Sequence, residues 1–280
     1  MKNLFDQFFV GFKRHPWRFF ASIFLSYSVF WTIVESTTSF FKALSLEGVV
    51  PYLVMLGASV VIGVYRSIQP REIKVRIKNT DTVVTVSFGD LFASHCHKVI
   101  PVNEFFDSKL GEPVSRLSIH GVFISQCFGG HGVSLDTLVD ESLKNTPFDA
   151  VQRPEGRQKR YAIGTTAVVP VNEDRYFLVA LSKTDLNTLK ASADIPELWT
   201  ALVGLWKQVR ISAGGHPVAT PLLGGGLSGV GLPGTQLLQL MLLSIVSETK
   251  KRKITKNIRI ILANDRFDEI NLETIKNNWA

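Results

Sequence analysis

PLLGGGLSGVGLP, residues 221–233, is the stretch whose reading decides the fold. Its three successive glycines follow a short β-type run, His216–Pro221, and an apolar helical pattern, Thr235–Lys250, opens soon afterwards. Glycine tolerates positive φ and lets a ligand approach the backbone closely. N–H groups in such a turn, beside a helix N-terminus, can cradle phosphate oxygens. No Lys-Ser or Lys-Thr follows, so the stretch is not a P-loop, and it lacks the GxGxxG spacing behind a first strand. A plain tight turn would use the same glycines. A second stretch, FGGHGVSLD at 128–136, also leads into an amphipathic helix, with Leu135, Leu138, Val139 and Leu143 at helical spacing. Two such loops could clamp a diphosphate from both sides, because the loops of α/β sheets that bind ligands gather at the carboxyl ends of strands.

Outward from these loops, strands and helices alternate. Ile73, Val75 and Ile77 alternate with Lys74, Arg76 and Lys78, Asn79-Thr80-Asp81 is a turn signal, and Val83, Val84 and Val86 run to Gly89-Asp90. Residues 72–88 therefore read as a β-hairpin. Further strands are expected over 98–102, 160–169, 176–181 and 258–263. A helix is expected over 195–212, with Leu198, Leu202, Leu205, Trp206 and Val209 on one side. This order favours an α/β three-layer sheet.

The first quarter of the chain has a different character. Phe19–Val34 (FFASIFLSYSVFWTIV) and Gly48–Tyr65 (GVVPYLVMLGASVVIGVY) carry no charge. With Trp17 and Ser36–Ser39 added, the first run reaches the length needed to cross hydrocarbon. Gly57, Ala58, Ser59 and Gly63 give the second run a small-residue face for helix packing in lipid. Trp17, Trp31, Tyr52 and Tyr65 lie near the ends of the runs, as interface aromatics do. Lys13, Arg14 and Arg18 precede the pair and Arg66, Arg71, Lys74 and Arg76 follow it, which by the positive-inside rule places both ends in the cytoplasm. Ahead of them Leu4, Phe5, Phe8, Phe9 and Phe12 fall on one helical face, as in an interfacial helix. The resulting division is an interfacial helix over 1–16, a transmembrane hairpin over 17–66 and a cytoplasmic domain over 70–280. A signal peptide is the poorer reading of 13–39, since no small-x-small cleavage site stands out and a second span follows. A buried soluble hairpin is the other alternative.

Composition agrees with this division. Of 280 residues, 45% are hydrophobic and 20% charged, which excludes a disordered chain. The net charge of +7 admits nucleic acid, anionic lipid or phosphate as partners, and much of it flanks the apolar runs. Two cysteines, Cys96 and Cys127, form no disulfide framework and no CxxC pattern. His95-Cys96-His97 lacks a second ligand pair at metal-site spacing and reads as local polar surface. Lys250-Lys251-Arg252-Lys253 ends an apolar helix, where cations complement the dipole better than they mark a nucleic-acid patch. No nucleophile–base pair or carboxylate dyad can be assigned.

The order of elements resembles the macro domain, an ADP-ribose-binding fold with a three-layer α/β/α mixed sheet. Gly89-Asp90-Leu91 looks like its GDI signature, which implies that Asp90 accepts from an adenine amino group, although Asp90 could equally cap a following helix. Val102-Asn103 looks like a reduced asparagine motif, which would contact the distal ribose. Gly129, Gly130, His131, Gly132 and Val133 resemble the loop beside the distal ribose and phosphates, and Gly164–Val168 resembles the strand that follows. Leu223, Gly224, Gly225, Gly226, Leu227, Ser228 and Gly229 resemble the phosphate loop. Asn264, Arg266 and Phe267 fall where the family ends its last strand beside the ligand, with a surface salt bridge as the other reading of Arg266. Glu104-Phe105-Phe106 replaces the rest of the asparagine motif, and an extra segment over 107–125 intervenes. Those departures weigh against hydrolysis of ADP-ribose adducts.

A macro-like domain behind two spans resembles the membrane effector of type II Thoeris anti-phage defence. That resemblance implies an ADP-ribose-derived ligand, histidine–ADP-ribose made by a partner TIR enzyme, and no cofactor, metal, nucleic acid or catalytic residue. It further implies an inner-membrane protein with two spans that forms a homo-oligomer when active and disrupts the bilayer. A membrane-tethered ADP-ribosyl hydrolase and a passive ADP-ribose-binding scaffold are the alternatives.

Overall fold

Pro16 sits in the first turn of a long apolar helix, where its missing N–H costs nothing. The computed structural model describes residues 2–41, 48–226 and 229–279. The chain divides into two units, Met1–Arg71 and Glu72–Ala280.

The first unit contains α1 (Lys2–Arg14), α2 (Pro16–Phe40) and α3 (Val49–Ser67). Both α2 and α3 are long and apolar enough to cross a membrane. They pack along each other. Of the small residues on α3, Ser59 and Gly63 are buried while Gly57 is exposed. A methyl group at Gly63 would stand 2.7 Å from Cγ1 of Ile23, so the two helices approach here as closely as glycine allows. The apolar face of α1 is divided. Phe8 and Phe12 turn onto Phe19 with ring centroids 5.7 and 5.4 Å apart, whereas Leu4, Phe5 and Phe9 are exposed.

The second unit is a mixed sheet between two helical layers. Its elements are β1 (Glu72–Arg76), β2 (Val83–Phe88), β3 (His97–Asn103), α4 (Ile119–Phe128), α5 (Gly132–Ser142), β4 (Asp149–Ala150), β5 (Lys159–Arg160), β6 (Thr166–Val171), β7 (Asp174–Thr184), β8 (Ala191–Ser192), α6 (Ile195–Ser212), β9 (Val218–Pro221), α7 (Gly234–Lys251), β10 (Asn257–Leu262) and α8 (Leu272–Trp279). The strand order is β1-β2-β10-β9-β3-β7-β6, with β8 paired to β7. Strands β2, β10, β9, β3 and β7 are mutually parallel, and β1 and β6 close the two edges antiparallel. Apolar residues of α6, α7 and α8 bury one face of the sheet and those of α4 and α5 the other, giving two cores. A capping box at Asp194 and Glu197 starts α6, each side chain meeting the other residue's N–H at 2.8 Å.

The hairpin expected over 72–88 is β1–β2, in register from Glu72↔Ser87 to Arg76↔Val83. The expected strand over 160–169 is shorter. Gly164 turns the chain; Thr166–Val171 pairs in the main sheet as β6, while Arg160 belongs to the separate β4–β5 ladder. Helices α4 and α8 are additions to the sequence reading; α4 begins inside the segment read there as an insertion and runs past its end. The expected polar surface at 95–97 is corrected. Only His95 is exposed; His97 is buried with its ring centroid 5.0 Å from that of His216, and its Nδ1 accepts from Arg175 N at 3.2 Å. At and just beyond the end of α7 two of the cations are tied to carboxylates, Lys251 to Glu248 at 2.6 Å and Lys253 to Asp81 at 2.5 Å.

One buried contact joins the two helices on the first face. Trp206 Nε1 donates to Ser244 Oγ at 2.9 Å, with both residues fully enclosed. Replacing Ser244 with alanine leaves that indole N–H dry and unpaired. Denaturant melts should show a loss of about 1–3 kcal/mol for S244A, and a smaller further loss when Trp206→Phe is added than Trp206→Phe causes alone.

Candidate functional site

Five parallel strands send their carboxyl ends to one edge, and a cleft of about 990 Å³ opens there. From one end to the other it is lined by Asp90 after β2, Asp265 and Arg266 after β10, Gly224–Gly226 after β9, Asn103 at the end of β3, and Ser182 on β7. Its outer wall is the segment Gly111–His120, which leads from β3 into α4.

The glycine turn after β9 is held by an arginine. Arg266 donates from Nη2 to the carbonyl of Gly225 at 2.5 Å and from Nη1 to Glu269 at 3.1 Å. Glu269 in turn accepts from the N–H of Gly234, the first residue of α7, at 2.7 Å. Turn, arginine and helix start therefore form one tie. Gly224 lies at φ 81, and a side chain there would strike Val230 at 2.8 Å. Among the described residues no acceptor meets the N–H of Gly225 or Gly226. They remain available to an anion, as in other backbone nests.

Asp90 caps no helix. Its Oδ1 accepts from Phe92 N at 2.9 Å, which closes a turn and leaves a carboxylate on the cleft. Asn103 reaches the cleft, but its amide is held from behind. Nδ2 donates to Asp107 Oδ2 at 2.7 Å, and Oδ1 accepts from Asp107 N at 3.1 Å. Asp107 is fully buried against Arg153 in an ion pair and accepts from Arg157 N at 2.8 Å. Arg153 lies over the Phe105 ring at 3.9 Å. Phe106, between Phe105 and Asp107, adopts φ 54, a left-handed conformation costly for a phenylalanine and imposed by this knot.

Several expected site residues lie elsewhere. Gly129, Gly130, His131, Gly132 and Val133 do not line the cleft. Gly129, at φ 60, ends α4 as a left-handed cap, and its N–H and that of Gly130 both return to Ile124 O. His131 and Val133 are exposed at the start of α5. Two helices meeting at a sharp turn account for those glycines. Leu223 is buried, with its N–H 3.3 Å from Met241 Sδ. Phe267 is buried edge-on to Phe88, with centroids 5.1 Å apart. Asn264 opens a 3-10 turn, and Gly229 donates to Gly226 O at 3.1 Å; neither lines the cleft. Leu227 and Ser228 lie outside the described residues. The expected residues brought together on the cleft are Asp90, Asn103, Gly224, Gly225, Gly226 and Arg266.

The loop that lines the cleft beside the glycine turn is therefore Gly111–Ser118. The sequence signal for it was Ser118 three residues before Gly121, an N-cap spacing; Ser118 Oγ accepts from Gly121 N at 2.9 Å. His120 follows the cap. It is buried, lines the cleft, and its Nε2 has no hydrogen-bond partner among the described residues. Burial pushes its pKa down to about 3, so the imidazole is neutral at physiological pH. No group of three metal-ligating side chains forms among the described residues.

A family model described as Thoeris protein ThsA, Macro domain, matches residues 84–263, well over half of the chain. No curated protein matches. Among solved structures the chain is similar to a macrodomain from Oceanobacillus iheyensis with MES bound, at 12% identity and a TM-score of 0.49, over 74% of this chain and 96% of that one. The same macrodomain with ADP gives 12% identity and a TM-score of 0.48 over the same shares.

Two measurements check the site's electrostatics. Arg153→Met strands a buried carboxylate and should cost about 3–5 kcal/mol in denaturant melts, far more than loss of a surface pair. For His120, an unfolded chain takes up a proton below pH 6.5 that the folded imidazole refuses down to about 3. The full stability holds above 6.5 and should fall between 6.5 and about 3 by up to about 1.4 kcal/mol per pH unit from this one group. His120→Phe should flatten that part of the pH–stability curve.

Proposed function

The chain belongs to the Thoeris ThsA macro-domain family, and from that premise we propose that it is a membrane-anchored receptor for an ADP-ribose-derived signal. Its cleft takes the nucleotide. The adenine lies toward Asp90 and the diphosphate over Gly224–Gly226, with its charge met by turn N–H groups beside Arg266. The observation that carries this reading is the cleft itself. About 990 Å³ is ample for a dinucleotide-sized ligand, and an acceptor stands at one end with an arginine-held glycine turn in the middle.

The signal is histidine–ADP-ribose from a partner TIR enzyme. The helices α2 and α3 are the two spans in the inner membrane, with both termini in the cytoplasm where the flanking Lys13, Arg14, Arg18, Arg66 and Arg71 lie. The exposed Leu4, Phe5 and Phe9 of α1 lie at the bilayer surface. Binding shifts the chain toward an oligomer that disrupts the membrane. Asn103, whose amide is tied on both sides to Asp107, favours a receptor over a hydrolase.

The test uses the full chain in dye-loaded vesicles. Histidine–ADP-ribose should release dye while being recovered intact, and Gly225→Glu, which sets a carboxylate where the phosphates would lie, should abolish both binding and release. Consumption of the ligand would replace the receptor with a hydrolase. Tight binding without release would leave a scaffold.

A further inference from the structure

The nucleotide reading leaves a buried histidine of the cleft unused. His120 is the second residue of α4, whose first turn forms part of the outer wall and which packs on β3. A histidine enclosed to 6% exposure with an unpartnered Nε2 is costly to the fold. A phenylalanine or leucine would fill the same space without that cost. A group kept at a loss in stability on the wall of a binding cleft is expected where it meets something other than the protein.

Its surroundings specify what it meets. Desolvation alone depresses its pKa; no carboxylate or cation contributes. The imidazole is therefore neutral, able to donate or accept through Nε2 according to its tautomer. A phosphate there would draw a proton onto the ring against that burial. A sugar hydroxyl, which both donates and accepts, matches it without any change of charge. Position narrows the choice. Along the cleft, β2 carries Asp90, β10 and β9 carry Arg266 and the glycine turn, and β3, on which α4 packs, comes next. A ligand with its adenine at Asp90 and its diphosphate on the glycine turn has its terminal ribose at the His120 end.

We propose that His120 is a specificity-determining residue that reads a hydroxyl of the ligand's terminal ribose through Nε2. This rests on the nucleotide reading above. It accounts for the orphaned, enclosed nitrogen, which a ligand hydroxyl would satisfy.

Calorimetry on the full chain in detergent micelles at neutral pH, with ADP-ribose and with ADP, separates the possibilities, because ADP lacks the terminal ribose. The wild type should prefer ADP-ribose. His120→Phe should weaken ADP-ribose by about tenfold and leave ADP unchanged. His120→Gln, which puts an amide near the same place, should stay within about threefold of the wild type. The binding enthalpy should be the same in two buffers of unequal ionisation enthalpy, since no proton is taken up. His120→Leu carries the same comparison if the phenylalanine variant does not fold. An unchanged preference in the apolar variant, an equal loss for both ligands, or proton uptake on binding would overturn the role of His120 while leaving a nucleotide receptor. A wild type that binds neither ligand would remove the role of His120, and one that also fails to bind histidine–ADP-ribose would remove the receptor.

Discussion

Parallel strand pairing is the constraint from which the rest follows. Once β2, β10, β9, β3 and β7 run the same way, each return must cross over a face of the sheet. The crossovers put α6 and α7 on one side and α4 and α5 on the other, and they bury both faces. They also gather the first residues beyond five strands along one edge. Asp90, Asn103, Gly224–Gly226 and Arg266 share a cleft for that reason, although they are spread over nearly 180 residues of sequence. The turns beyond those strand ends carry backbone groups that no ladder uses.

Loops without a ladder need other ties, and this domain uses two kinds. The exposed kind is Arg266, which bridges Gly225 O and Glu269 while Glu269 holds the start of α7. The buried kind is Asp107 with Arg153, beneath Asn103. A buried pair of charges is a poor source of net stability, since desolvation offsets much of the attraction. It is exacting about geometry, however. It fixes both sides of the Asn103 amide and holds Phe106 in a conformation that phenylalanine rarely adopts. Shape at this end of the cleft is thus set before any ligand arrives.

What was legible in the sequence follows the same division. Period-two alternation located β1 and β2, and the apolar faces of α6 and α7 located those helices, because burial against one sheet imposes a strict period. The loop at 221–233 was legible because glycine in series has few purposes. The loop at 128–133 lies off the cleft and has a local use for its glycine: Gly129 is a helix cap, which looks identical in sequence to a ligand loop. The wall that does line the cleft, Gly111–Ser118, carries a single glycine and no phosphate-loop pattern. Helix α4 was hidden because four of its ten residues, His120, Gly121, Phe123 and Ile124, are buried on a stripe too mixed in polarity to show a helical period. The Arg153–Asp107 pair spans 46 residues and has no local signature at all.

A receptor also needs contacts that differ between its resting and active states. A ligand that binds both equally shifts nothing, and moving a population from one per cent to ninety-nine takes about a 10⁴-fold difference in affinity. Ties already complete without ligand, such as Arg266 to Gly225 and Asp107 to Arg153, hold the cleft's shape and can supply affinity, but by themselves they do not discriminate between states. Discrimination has to come from groups still unpaired in this conformation. Among the described residues of this cleft they include, beside the Asp90 carboxylate, the N–H groups of Gly225 and Gly226 and the Nε2 of His120. The N–H groups answer to a phosphate and the imidazole nitrogen to a neutral hydroxyl. A ligand satisfying both must extend from β9 past β3, so switching and selectivity would draw on the same few atoms.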